Sequence, residues 1–499
     1  MHGRLKVKTT AQQEAERKAE RASKMKSYEA AMSRLTGLRK KDDRSKEEMD
    51  EAFRLSSGLL LSNPDLTSLW NFRKEIYCGM KDEEREKSKV IRTECDLSMR
   101  CLEAQPKPYC TWHHRLWILS EYNSDPSRWD SELSLCNKYL SLDERNFHCW
   151  DYRRFVLSKR QKSDSSSEEL DFSMDKIKAN FSNYSAWHYR SKLLLAHGEG
   201  IASNEELRRE ELILTQHAAF TDPEDSSPRF YHKWLLQSSS SCHLTWRFLP
   251  EQGILILPLE LKDFEATYED KPVIKTPYHR HVIWKLNHPK EAPAPTFIFP
   301  PESNIPKANG SSNLGPDMKE TLQEELQNSL ELLDLEPDSK WTLSSILDIM
   351  ITLDLGGHYE DILKFFQRLI ELDPFREGLY KDMRSKIQIQ HVISSWTKSP
   401  SKGINLSNLS LTRIDYPQYL FGLKDINLSN NDLRSLTGLH GCLSHCQSLD
   451  LSGNPMLKAG EVSRLLKTME SLKDLKLDSS KDYNASLPKD FPHVDLTFV

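Results

Sequence analysis

One short signature recurs four times in this chain, a Trp three residues ahead of an Arg. It reads "LWNFRKEIY" (Trp70, Arg73), "TWHHRLWIL" (Trp112, Arg115), "CWDYRRFVL" (Trp150, Arg153) and "AWHYRSKLL" (Trp187, Arg190). The four tryptophans follow one another at 42, 38 and 37 residues. A period of that length belongs to stacked pairs of helices, because one pair cannot bury its apolar face alone. Seven residues before each Trp stand Asn63, Gln105, Asp143 and Asn180, with Pro64 and Pro106 next in the first two copies. These are turn and helix-start residues. They place each Trp in the first turns of the second helix of a pair, with amphipathic first helices such as "RWDSELSLCNKYLSL" between. Residues i and i+3 share a helix face. A Trp there buries about 150–250 Å², which at about 25 cal/mol per Å² stabilises by roughly 4–6 kcal/mol before entropy. The neighbouring Arg stacks on aromatics and offers five donors to carbonyls. The pairs therefore read first as fastenings of a stack.

The rest of the chain changes character twice. A fifth copy, "DPEDSSPRFYHKWLL", keeps the turn but has Arg229 and His232 in the Trp and Arg slots. Weak copies follow at Trp341, after Pro337, and at Tyr380, after Pro374. Between them, residues 238–316 carry short β-rich runs such as "GILILPLEL" and "HRHVIWKL", broken by Pro and Gly, and then a Pro-, Gly- and Ser-rich tail. That pattern predicts a small antiparallel sheet or sandwich followed by linker. From about residue 400, "LKDINLSNNDLRSL" and "CQSLDLSGNPM" fit the leucine-rich pattern through Leu423, Ile426, Leu428, Asn431 and Leu433, then Leu449, Leu451 and Asn454, with an echo at Leu475 and Leu477. Residues 1–60 read as a charged, solvated helix packed by a narrow stripe. The expected fold is mainly α. A helical-hairpin solenoid covers 1–237 and 317–398, an inserted immunoglobulin-like β domain 238–316, and leucine-rich repeats 399–499.

Several function classes are excluded. A net charge of −5 over 499 residues is unsuited to nucleic acid as the main ligand. No apolar run of about 18 residues predicts a membrane span, and the first residues lack the apolar region of a secretory signal. His2 occupies the place where myristoylation needs Gly, and the terminal "DLTFV" has no prenylation cysteine. Nine scattered cysteines predict reduced thiols in a cytoplasmic protein. HExxH, P-loop and nucleophile-elbow motifs are absent, and adjacent His113 and His114 cannot share a helix face as a metal pair. Any hard chemistry is expected from a partner.

The turn–Trp-x-x-Arg copies resemble the repeats of protein prenyltransferase α subunits. The opening "MHGRLKVKT", the blocks "DERNFHCWDYRRFVL" and "NFSNYSAWHYR", the β insertion and the terminal leucine-rich repeats together resemble the α subunits of Rab geranylgeranyltransferases, the type II protein geranylgeranyltransferases. The resemblance covers nearly all of the chain and is densest over 60–235. It implies a heterodimer in which this chain cradles a β subunit that holds zinc and most of the lipid pocket. It also implies transfer of geranylgeranyl from geranylgeranyl diphosphate to C-terminal cysteines of Rab GTPases, presented by a Rab escort protein. The insertion is shorter than in the mammalian members. The alternative is a non-enzymatic adaptor of tetratricopeptide type with a leucine-rich binding surface. Its period of about 34 residues is shorter than the spacings here.

The resemblance carries particular residues with it. Lys107, in "QPKPY" before the second signature Trp, corresponds to the lysine that faces the diphosphate, where a compact cation neutralises the leaving group. Tyr109 in the same turn could hydrogen-bond substrate or line the cleft, and Phe147 and His148 in the next copy correspond to residues facing the joint active site. His148 is expected to be a hydrogen-bonded residue rather than a general base, and Phe147 lacks a hydroxyl that relatives could use. No metal site is expected in this chain, except that His2 could reach the partner's zinc and hold a resting state.

Overall fold

The computed structural model describes residues 11–41, 43–80, 86–160, 165–196, 201, 204–239, 244, 247–249, 254–257, 260, 264–268, 271–279, 282–287, 296–298, 314–479 and 491–499. His2 and most of the expected linker lie outside the described residues. The chain divides into two compact units, Met1–Leu193 and Leu194–Val499.

In the first unit, helix α1 (Ala11–Arg39) leads into α2 (Lys46–Ser62), α3 (Thr67–Gly79), α4 (Lys87–Ala104), α5 (Tyr109–Tyr122), α6 (Arg128–Leu142), α7 (Phe147–Lys159), α8 (Ser165–Ala179) and α9 (Tyr184–Ala196). The first two-thirds of α1 is exposed, and its later Leu35 and Leu38 are buried. Consecutive helices pair antiparallel, α4 on α5 and α6 on α7. Their ends follow from local chemistry. Ser45 caps α2 in a capping box with Glu48, which satisfies two otherwise orphaned donors. Asn63 and Asp143 terminate α2 and α6. Their side-chain oxygens then accept from Asp65 N at 3.2 Å and Arg145 N at 3.1 Å. The residue seven before each Trp thus stops the first helix, and Asn63, Asp143 and Asn180 also turn the chain with their side chains. The start of the second helix falls to the residue four before the Trp, as when Asn146 accepts from Cys149 N at the head of α7.

The second unit opens with α10 (Glu205–Thr221) and α11 (Ser226–Ser239) and returns to helix at α12 (Pro316–Leu335), α13 (Lys340–Asp354), α14 (Tyr359–Leu372) and α15 (Glu377–Lys398). The excursion between Ser239 and Pro316 does not interrupt the stack, because α11 packs on α13 and α10 on α12. Ser339 caps α13, so Leu343 fills the Trp slot there and is fully buried. Trp341, the sequence's choice for that slot, lies two residues early and is half-buried. Tyr380 does stand in its slot, and its hydroxyl donates to Asp373 at 3.2 Å.

The inserted strands are β1 (Arg247–Leu249), β2 (Ile254–Ile256), β3 (Glu265–Tyr268), β4 (Lys271–Pro272), β5 (Lys275–His279), β6 (Ile283–Leu286) and β7 (Thr296–Ile298). They form two antiparallel sheets, ordered β1-β2-β6-β5 and β4-β3-β7, the strand order of an immunoglobulin-type sandwich. Leu255, Phe264, Trp284 and Leu286 belong to its core. Alternation along β2 turns Ile254 and Ile256 to the other face, where they cluster with Ile283 and Phe421 of the C-terminal coil. The coil stacks β8 (Gly403–Asn405), β9 (Asp425–Asn427), β10 (Ser448–Asp450), β11 (Asp474–Leu477) and β12 (Asp495–Phe498) in parallel, in sequence order. Ile404, Ile426, Leu449, Leu475 and Leu496 stand in register. Buried Asn431 donates to Leu406 O (2.9 Å) and Leu428 O (3.0 Å) and accepts from Leu411 N (2.9 Å). Asn454 repeats this one turn on with Leu428 O, Leu451 O and Leu433 N. Gly453 holds φ +69° where a Cβ would run into Asn430 Oδ1, so that position requires glycine.

Candidate functional site

The signature residues lie inside the stack. The side chains of Arg73 and Glu94 are fully buried. Arg73 donates to Glu94 from Nε (3.0 Å) and Nη2 (2.5 Å), and from Nη1 to Phe53 O (2.9 Å) and Ser56 Oγ (2.6 Å). One guanidinium therefore joins α2, the first helix of its own pair, to α4, the first helix of the next. Arg115 does the same between Cys95 O with Ser98 Oγ and Glu132. Arg153 links Asn137 to Glu169. Arg190 makes the backward half, to Leu170 O and Ser173 Oγ.

Each glutamate takes another donor from the residue two after the next signature Trp. His114 Nε2 lies 2.8 Å from Glu94. Tyr152 and Tyr189 donate to Glu132 and Glu169 at 2.8 and 2.6 Å. Burial alone would raise the Glu94 carboxyl, but Arg73 and His114 hold it down at about 2. Burial pushes His114 below the ordinary histidine range, against the pull of Glu94.

Each Trp closes its own turn. The indole N–H donates to the carbonyl six residues earlier, at Pro64, Pro106, Glu144 and Phe181. Its ring meets the same residue of the following pair that holds the glutamate. Ring centroids are 4.4 Å apart for Trp70–His114, 5.3 Å for Trp112–Tyr152 and 5.0 Å for Trp150–Tyr189. The fifth copy keeps this scheme with other chemistry. His232 Nε2 is 2.7 Å from Glu325, Arg229 reaches Ser345 and Thr342 of α13, and Tyr231 donates to Glu211. The glutamates went unread in the sequence, although an acidic residue on the inward face of each first helix was the signal for them.

The other candidates are on the surface. Three residues before their Trp, Tyr109, Phe147 and Tyr184 project 60%, 63% and 53% exposed from the first turns of α5, α7 and α9. Histidines pack among them. Tyr109 stacks on His113 at 5.8 Å and meets His148 at 5.6 Å. Phe147 meets His148 at 4.0 Å, and Tyr184 stacks on His188 at 6.1 Å. Partial burial lowers the pKa of all three histidines, helped at His113 by Lys74. His148 meets Tyr109 and Phe147 through its ring, and the charges of Asp151 and Asp65 act on it against the effect of burial.

Lys107 stands in the turn before α5. Its side chain is 68% exposed, with Nζ 2.7 Å from Asp143 Oδ2. Two successive turns thus bring Lys107, Tyr109, Phe147 and His148 to one open surface of cation, imidazoles and aromatic rings. Such a surface can receive a polyanion beside apolar matter. Among the described residues no group of three or more His, Cys, Asp or Glu side chains is arranged to hold a metal ion.

Three segments of the chain, 91–122, 129–160 and 166–197, match the protein prenyltransferase alpha subunit repeat. They coincide closely with the pairs α4–α5, α6–α7 and α8–α9. The chain is 32% identical over 526 residues to the geranylgeranyl transferase type-2 subunit alpha of Homo sapiens, covering 95% of this chain and 91% of that protein. It is 36% identical over 220 residues to the Saccharomyces cerevisiae subunit of the same name, covering 43% of this chain and 65% of that one. Among solved structures, the Candida albicans protein geranylgeranyltransferase-I complexed with GGPP aligns with a TM-score of 0.45 at 17% identity, over 72% of this chain and 91% of that chain.

Proposed function

Since the chain belongs to the family of geranylgeranyl transferase type-2 α subunits, we propose that it is the α subunit of a heterodimeric Rab geranylgeranyltransferase of the cytoplasm. The β subunit docks on the exposed aromatic–histidine surface of α5, α7 and α9. Rab GTPases, presented by a Rab escort protein, supply the C-terminal cysteines that are modified. In the reaction a cysteine sulfur attacks C1 of geranylgeranyl diphosphate, the C–S thioether bond forms, and the C–O bond breaks with its electron pair leaving on diphosphate. Zinc, which the β subunit would hold, would lower the pKa of that cysteine, so that its proton passes to solvent and the sulfur reacts as the thiolate.

This chain's own contribution is to the leaving group. Lys107 holds its ammonium toward the diphosphate, where a fixed cation stabilises charge that grows as the C–O bond breaks. Tyr109 and His148 supply donors beside it, and Phe147 supplies apolar contact. The observation that carries the reading is the convergence of these four residues, from two separate turns, on one exposed surface.

The test is co-expression with the β subunit, followed by transfer of labelled geranylgeranyl to a Rab GTPase bound to its escort protein. A stable complex with transfer activity is expected. Lys107→Ala should slow turnover by about 10²-fold or more with an unchanged melting midpoint. Failure to form a complex, or transfer unaffected by Lys107→Ala, would refute the respective half of the proposal.

A further inference from the structure

The turn between α6 and α7 holds Lys107 at two points. The first is the backbone. The Pro106 carbonyl, next to Lys107, accepts the Trp112 indole N–H at 3.0 Å and the Asn146 side-chain amide at 2.9 Å. Asn146 is buried and heads α7. The second is the ammonium. Asp143 Oδ2 lies 2.7 Å from Nζ, while Asp143 Oδ1 accepts from Arg145 N at 3.1 Å. The carboxylate is thereby fixed to its own turn and cannot simply follow the lysine into solvent. The charge of Arg145 also acts on Asp143, and both flanking residues bond across to the next turn. Glu144 accepts from Asn180, and Arg145 donates to Ser182 O at 3.5 Å.

We propose that Asp143 is a positioning residue for Lys107, holding its ammonium where the diphosphate leaving group arrives. The inference rests on the proposed role of Lys107. A lysine side chain with four rotatable bonds explores a wide volume when unrestrained. A catalytic cation has to stand within about 0.5 Å of its productive place. The ammonium has three donors, so one can stay on Asp143 while the others meet phosphate oxygens. The carboxylate adds no favourable contact to a diphosphate, being of like charge. Its effect therefore falls on the orientation of Lys107 and on the chemical step rather than on substrate affinity.

The test uses the complex of this chain with its β subunit. Asp143→Asn keeps the oxygen that accepts from Arg145 N but removes the charge, and Asp143→Glu keeps the charge on a longer arm. Expected for Asp143→Asn is a fall in kcat of about tenfold, with KM for geranylgeranyl diphosphate within about twofold and the melting midpoint unchanged. Asp143→Glu should recover part of the rate. If Asp143→Asn turns over at the wild-type rate while Lys107→Ala is slow, the positioning role is refuted and the proposed function stands. A normal rate in Lys107→Ala would refute both. A loss of kcat that tracks a lowered melting midpoint, without recovery in Asp143→Glu, would make Asp143 a turn residue only and overturn the inference.

Discussion

The helical stack and the C-terminal coil are both repeats, and both run buried polar side chains through successive joints, yet they choose opposite chemistry. The stack uses a charged clasp, Arg73–Glu94, Arg115–Glu132 and Arg153–Glu169. The coil uses a neutral amide, Asn431 and then Asn454. The difference follows from which groups satisfy the backbone. Within a helix nearly every N–H and C=O is already paired, so the joint rests mainly on side chains, and a long guanidinium bridges two helices while adding a second bond to carbonyls such as Phe53 O and Cys95 O. In the coil each turn leaves main-chain donors and acceptors unpaired. A short amide carrying both kinds of group answers them from the centre. A clasp of opposite charges is costly to half-remove and inexpensive to replace whole. An asparagine serving backbone groups has no apolar substitute.

The largest effects of substitution are expected in the stack. Trp112→Ala removes a buried indole, and Arg115→Ala strands Glu132 without its cation. Each is expected to destabilise the first unit by about 3–5 kcal/mol, read as a shift in the urea midpoint followed by tryptophan fluorescence. The paired replacement Arg115→Met with Glu132→Leu should recover most of that loss. If the pair is as damaging as Arg115→Ala alone, the clasp is not a replaceable unit. In the coil, Asn431→Ala should cost about 2–4 kcal/mol by orphaning backbone groups, seen as faster hydrogen exchange at Leu409 and Leu411. Asn431→Leu should give no recovery there, in contrast to the stack.

Acid should separate the two regions further. Folding lowers the pKa of His114 from 6.5 and that of Glu94 from 4.5 to about 2. A group whose folded pKa is depressed takes up its proton more readily when unfolded. Its stabilisation is therefore full above the unfolded value and is lost as pH falls. The His114 part fades below 6.5 and the Glu94 part from 4.5 toward about 2. Asn431 and Asn454 carry no such proton. Fluorescence of the stack should respond to acid earlier than hydrogen exchange in the coil, and Glu94→Gln with His114→Phe should flatten that acid limb. The smallest effect is expected from Arg34→Ala, which breaks a bidentate but exposed pair with Glu51. Its cost should stay below about 1 kcal/mol, in marked contrast to the same chemistry buried at Arg115.

Much of this was legible before any coordinates. The spacing of Trp70, Trp112, Trp150 and Trp187 carried the helical pairs, because an indole must be buried once per joint. Asn431 and Asn454 carried the coil, because its pattern lies in contiguous residues. The glutamates were harder to see. They follow their arginines by 21, 17 and 16 residues, since connectors vary in length while the contact does not. Asn431 and Asn454 follow β9 and β10, whereas β11 is followed by Asp478 and the last strand, Asp495–Phe498, by no asparagine, so these later turns carry a weaker signal. The surface residues were reached by likeness to a family, and their grouping became visible only when successive turns were laid side by side.

What the sequence determined by itself is periodic and local: where helices pair, where they stop, and which residues head each turn. These depend on neighbours a few positions away, and side-chain size and hydrogen-bonding capacity settle them. The tertiary structure decided the pairings between elements. It set Glu94 between Arg73 and His114, placed the inserted sandwich against Phe421, and brought Asp143 to Lys107. Such contacts depend on how far each connector lets one element slide past another, and no short window of residues contains that distance.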